Sequence, residues 1–233
     1  MNSSFNSSDN TTDIFITLTD NAYYYIAAYL IFLSIAGTFL NGAVIFAFIR
    51  FKTVQTNANR FVVAICICGL FISTLGIPFA AASAISHTWL FGSFGCKLHG
   101  FVLTGLGISM IAIFTAIAFD RYIAVVKFSA NWKLKTHEVT ALIALCFTYG
   151  GVLALFPLLD WSSYTEEIAH ISCSIDWNER SLSSITYSIT LMIGGLLAPL
   201  IVIVTLYMQV ISLVSDSIFD LHEGLILIFH SRN

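Results

Sequence analysis

The residues of this chain that could do chemistry are few, and they stand where long apolar runs begin or end. Asp120-Arg121-Tyr122 sets an acid beside a guanidinium at the close of one such run. A charged triplet there can be a simple interfacial anchor, and charge at a membrane edge is costly unless it is paired. Cys96 and Cys173 lie at run edges, whereas Cys66, Cys68 and Cys146 lie inside runs and read as core thiols. Glu166 and Glu167 occupy a polar stretch shortly before Cys173. Asn2, Asn6 and Asn10 each open an Asn-x-Ser/Thr sequon, which accepts glycans only on the lumenal face. His87, His99, His137, His170, His222 and His230 give no ligand-spaced pair within one helix. No phosphate loop, nucleophile–base pair or metal cluster can be read from the sequence, so the residues point away from an enzyme.

The elements that must position these residues follow from composition. The 233 residues are 58% hydrophobic and only 10% charged. Soluble domains carry roughly a quarter charged residues, so this chain cannot solvate a globular surface. Its net charge of −3 excludes a nucleic-acid partner, which needs clustered Lys and Arg. Five runs free of Asp, Glu, Lys and Arg are long enough to cross a bilayer: 22–49, 61–90, 98–119, 139–159 and 181–215. They are too long and continuous for barrel strands. The first lacks a basic flank before it, so it reads as an anchor and not as a cleaved signal peptide. No internal repeat suggests a transporter half.

Seven of the ten basic residues (Arg50, Lys52, Arg60, Arg121, Lys127, Lys133 and Lys135) fall around the first and third connections. The acids Asp9, Asp13, Asp20, Asp160, Glu166, Glu167, Asp176 and Glu179 fall on the other side. The basic side is cytoplasmic and the amino terminus is outside, which agrees with the sequons. Cys96 and Cys173 then share the oxidising compartment, where they are either bridged or two free thiols.

Taken together the motifs resemble the rhodopsin-like G-protein-coupled receptors. They are Asn41 within Gly37-Thr-Phe-Leu-Asn41, Cys96 and Asp120-Arg121-Tyr122 at opposite ends of the third run, Pro157 with Trp161, and Pro199 with Tyr207. Within that superfamily the chain resembles the opsins. Asp160-Trp-Ser-Ser-Tyr164 and Ser172-Cys-Ser-Ile-Asp-Trp177 are similar to the opsin second extracellular loop. His87-Thr-Trp-Leu-Phe-Gly92 resembles the first extracellular loop of neuropsins, and Asp176-Trp-Asn-Glu-Arg-Ser181, with Tyr187 after it, looks like peropsins and neuropsins. The likeness covers residues 22–212.

This resemblance implies an all-α membrane protein, with five transmembrane helices of a seven-helix receptor bundle. It divides the chain into an extracellular glycosylated stretch (1–21), the receptor domain (22–212) and a divergent tail (213–233). It implies a Cys96–Cys173 disulfide tying the loop over the bundle, and retinal as cofactor. Glu167, six before Cys173, becomes the candidate counterion of a protonated Schiff base; a solvated loop acid is the other reading. His99 takes a second counterion position, where it cannot replace a carboxylate but could add pH sensitivity; a polar helix end is its alternative. Gly100, Thr104 and Gly107 become candidate retinal-pocket residues, or else small residues for close helix packing. Asp120, Arg121, Tyr122 and Tyr207 become the switch that meets a heterotrimeric G protein. Other expected partners are lipid and a receptor oligomer.

Three departures qualify the resemblance. The family's helix-two aspartate falls at Gly69, so the polar hub with Asn41 is absent or rebuilt. The helix-four tryptophan falls at Phe147. The chain is expected to lack helices six and seven, and with them the Schiff-base lysine, since its last lysine is Lys135. The acidic stretch after Val214 reads as an alternative or mispredicted end. The expectation is therefore an opsin-like photoreceptor present as an incomplete chain unable to bind retinal covalently, in the plasma membrane or retained in the endoplasmic reticulum. A non-signalling isoform that regulates full-length receptors and a receptor for a chemical ligand are the alternatives.

Overall fold

The computed structural model describes residues 19–126 and 134–230. Five helices are long and apolar enough to cross a membrane: α1 (Asp20–Arg50), α2 (Asn57–Ser86), α3 (Gly92–Val126), α4 (Thr136–Leu159) and α5 (Leu182–Ser215). All five apolar runs are therefore helical. The helices overrun the charge-free windows, α3 beginning before Lys97 and continuing past Asp120 and Arg121. Backbone hydrogen bonding continues through the polar interface even where hydropathy falls. The second run is the exception, because α2 stops at Ser86. His87 takes a left-handed conformation (φ 55°), and Trp89 turns back to donate its indole N–H to the Gly92 carbonyl (3.0 Å).

Local chemistry sets the other ends. The Thr56 hydroxyl caps α2 by accepting the Asn59 N–H, and the Ser181 hydroxyl caps α5 by accepting the Ser184 N–H, each at 3.2 Å. At α4 the Glu138 carboxylate accepts the Lys135 N–H (2.7 Å). The second half of the α5 span belongs to one unbroken helix, Ala198–His230, which continues past Ser215 and carries through positions 212 and 213 without interruption.

Each of the three prolines marks an irregularity. A proline inside a helix lacks an N–H and crowds the carbonyl four residues back. Pro78 follows a wide π-type turn at Ile72–Gly76, and Pro199 follows one at Leu191–Leu197. Pro157 sits in the tightened last turn of α4, Phe156–Leu159. Wide turns free backbone carbonyls, and neighbouring helices supply donors to them. In α2 the Ser34 hydroxyl donates to the Ser73 carbonyl (2.8 Å), and in α5 the Tyr149 hydroxyl donates to the Gly194 carbonyl (2.9 Å).

Helix α3 is central, packing on α2, α4 and α5. Its closest neighbour is α4, where Gly150 lies against Ser109 and the Gly105 carbonyl so tightly that no Cβ would fit. Toward the Arg121 end, Phe61, Ala64, Ile113, Ala116, Val139 and Cys146 form a buried apolar core, with Phe147 packed against it. At the other end a hairpin of β1 (Tyr164–Glu166) and β2 (Cys173–Ile175) lies on α3, in antiparallel register Tyr164↔Ile175 and Glu166↔Cys173.

Candidate functional site: a lid and a charged helix end joined by one helix

The lid is fixed by a covalent bond. Cys96 near the start of α3 and Cys173 in β2 are disulfide-bonded, with Cα atoms 5.2 Å apart, and both are buried beside Trp89 and Phe79. Alternation along β1 then turns Tyr164 inward onto α3. Its ring covers Gly100, so a Cβ on Gly100 would run into the ring. Gly100 thus admits the lid's own tyrosine. The Tyr164 hydroxyl donates to the Ala154 carbonyl (2.8 Å), and the Tyr187 hydroxyl donates to the Leu153 carbonyl (3.0 Å). Burial pushes the Tyr164 phenol up to about 12, although hydrogen bonds with Thr104 and Tyr187 pull it back in part. The phenol is therefore a neutral donor at physiological pH.

The other candidate pocket residues divide. Thr104 joins the Tyr164 network. Gly107 faces open space, since an added Cβ would meet nothing within 4 Å. His99 is buried with both ring nitrogens on backbone carbonyls: Nδ1 is 3.3 Å from the Cys173 oxygen and Nε2 is 3.2 Å from the Gly76 oxygen. Glu167 lies in the exposed hairpin turn. Its N–H donates to the Ser172 carbonyl (2.9 Å), and its carboxylate accepts the Ser172 hydroxyl. Beside it Glu166 pairs with His170 at 3.0 Å.

At the far end of α3, Asp120 and Arg121 form an ion pair at 3.5 Å; the Asp120 side chain is 16% exposed and that of Arg121 is 49% exposed. Arg121 and Tyr207 line one open cavity of about 800 Å³ between α3 and α5, with Ile117, Val210 and Leu213. On its other side Arg121 borders a cavity of about 270 Å³ with Asp120, Asn57 and Leu134. Tyr122 follows on the same helix. Asn2, Asn6 and Asn10 lie outside the described residues.

The polar hub is rebuilt. Asn41 turns its amide into the space beside Gly69, where an added Cβ would sit 2.7–2.9 Å from it. Its Nδ2 donates to the Gly37 carbonyl (2.8 Å). A carboxylate at position 69 does not fit next to this rotamer.

Sequence reading missed three groups. Asn57 Nδ2 donates to the Leu134 carbonyl (2.7 Å) while its Oδ1 accepts the Thr136 hydroxyl (3.0 Å), clamping the start of α4 to the start of α2. Tyr164 and Tyr149 are the others. Their partners are main-chain carbonyls, and no residue-type pattern announces those.

Comparison with known proteins agrees with this geometry. A family description, "7 transmembrane receptor (rhodopsin family)", matches residues 40–219. The chain belongs to the rhodopsin family of seven-transmembrane receptors. Its relatives are opsins. It is 29% identical over 198 residues to the G0-coupled rhodopsin of Mizuhopecten yessoensis, covering 85% of this chain and 50% of that one. It is 26% identical over 205 residues to the human visual pigment-like receptor peropsin, covering 88% and 61%. The crystal structure of squid rhodopsin superposes with a TM-score of 0.83 at 25% identity, over 93% of this chain and 61% of that one. The chain spans about half the length of the curated relatives it matches.

Proposed function

We propose that this chain serves an opsin-type light receptor, with the hairpin outside the cell and Arg121 facing the cytoplasm, in the plasma membrane. The observation that carries the reading is that α3 joins two parts of such a receptor. A disulfide-anchored lid rests on one end, and an ion-paired arginine opens into a large apolar cavity at the other. Retinal, when bound, supplies the light-absorbing polyene. The open face of Gly107 leaves room for an apolar ligand, and Tyr164, Thr104 and Tyr187 close the lid side as neutral hydrogen-bonding groups. Glu167 is the carboxylate assigned to balance a bound cation. Asp120 holds Arg121 until a G protein competes for the guanidinium, with Tyr207 lining the same cavity.

Among the described residues the lysines are Lys52, Lys97 and Lys135, none at the middle of a span. The role assigned to residues 1–233 is contact with retinal and not the Schiff base. The test is light-dependent G-protein activation by a receptor carrying this segment. Arg121→Ala abolishes it while surface expression persists; unchanged activation would refute the assignment. A second reading, a non-signalling partner that retains other receptors, is favoured by the open apolar cavity between α3 and α5. Co-expression that lowers receptor surface levels supports that alternative.

A further inference from the structure

His99 makes a pair of contacts that a neutral histidine cannot fully satisfy. A neutral imidazole carries one N–H and one lone pair, whereas the doubly protonated ring carries two N–H donors. Here both nitrogens face backbone carbonyls, which only accept. The Gly76 carbonyl stands at the end of the wide turn in α2, and the Cys173 carbonyl belongs to the disulfide-bonded strand of the lid. A ring with one N–H bonds either α2 or the lid and sets a lone pair against the other oxygen. A ring with two bonds both.

We propose that His99 is a proton-controlled tether: with both nitrogens protonated it fastens the lid to α2, and with one proton it holds only one of them. Trp89 meets the ring edge-to-face with centroids 5.1 Å apart, and Phe79 lies 6.4 Å away. Neither side chain carries a carbonyl or carboxylate that would compete for the ring protons. The groups facing the ring from each packed element are Gly76 and Phe79 of α2, Trp89 of the following loop, and Cys173 of β2, and none of these titrates. On α3 itself Cys96 is held in the disulfide and Lys97 is exposed. The cross-strand neighbour of Cys173 is Glu166, whose carboxylate is engaged by His170. Among the described residues His99 has no carboxylate partner. The backbone carbonyls are fixed acceptors, so the number of tethers follows the number of ring protons.

The proposal goes beyond light reception and does not depend on retinal. Its test uses the full chain in lipid nanodiscs with ¹⁵N-labelled histidine. In the wild type the His99 resonances, identified by their loss in His99→Asn, show two protonated ring nitrogens at the acid end of a pH series and one at the alkaline end. Hydrogen-exchange protection of Tyr164–Ile175, corrected for intrinsic exchange, falls by about tenfold over the same range, the worth of one buried hydrogen bond. In His99→Asn that protection no longer depends on pH, and in His170→Asn it still does. A ring with a single proton throughout would overturn the tether. So would a pH dependence kept in His99→Asn or lost in His170→Asn. Should His99→Asn misfold, His99→Gln replaces it, and the wild-type ring signature decides alone.

Discussion

Gly100 and Gly107 are the same residue on the same helix, yet they do opposite work. Gly100 is pressed under the Tyr164 ring, while Gly107 looks into open space. Gly100→Ala must therefore push the lid away, at a cost of about 1–3 kcal/mol. Gly107→Ala loses no packing and gains about 0.5–1 kcal/mol from a stiffer unfolded chain. Thermal unfolding of the two variants in one detergent should separate them in sign. A second residue-scale test concerns Glu179, whose carboxyl is held below its ordinary range by hydrogen bonds from Ser184 and Ser181. The Ser184 hydroxyl donates to it at 2.6 Å. A depressed carboxylate stabilises above its unfolded value, and that contribution is lost as pH falls through the folded one. Acidification should loosen the start of α5 in the wild type and not in Glu179→Gln, read by amide exchange at Ser184–Tyr187. The charged triplet, the two edge cysteines and the three small residues of α3 were all visible in the sequence. What separates Gly100 from Gly107 was not, because the ring that decides it comes from a strand far along the chain.

Element ends carry the next lesson. Apolar runs report where hydrocarbon would lie, and all five were readable. Helix ends obey capping and turn chemistry instead, which is why His87 halts α2 inside a window that hydropathy left open. The prolines were readable too, but the wide turns before Pro78 and Pro199 emerge only when the crowded carbonyls find donors on other helices. Asn57 is the strongest case of such a hidden link, joining α2 to α4 through two hydrogen bonds. Asn57→Ala removes both and should cost about 1–2 kcal/mol. The effect should be confined to Leu134–Glu138, where exchange accelerates while the hairpin stays protected. Uniform acceleration would mean that the clamp is global, against this account.

For the whole molecule, the disulfide closes a long segment that includes most of α3, all of α4 and strand β1, its two cysteines standing 77 positions apart in sequence. Cross-linking so long a loop removes many unfolded conformations, typically about 2–5 kcal/mol for a native bond. Cys173→Ser should lower thermal stability by that order and expose Tyr164, measured by its fluorescence. Cys146→Ser, at a thiol inside the α3–α4 core, should leave the lid in place. Membership of the rhodopsin family explains why one sequence pattern reports both ends of α3. It does not explain the rebuilt hub at Asn41 and Gly69, which follows from the absence of a side chain at one position.

The wide turn in α2 also bears on chain length. A π turn is an α-helix that has absorbed one surplus residue. Each residue advances an ordinary helix by about 100°, so without the bulge the segment from Ile77 onward would be rotated by that angle. Phe79 and its neighbours would then leave α3 and turn toward lipid. The bulge cancels the phase error, and α2 can vary by one residue in mid-membrane while both of its halves keep their facing.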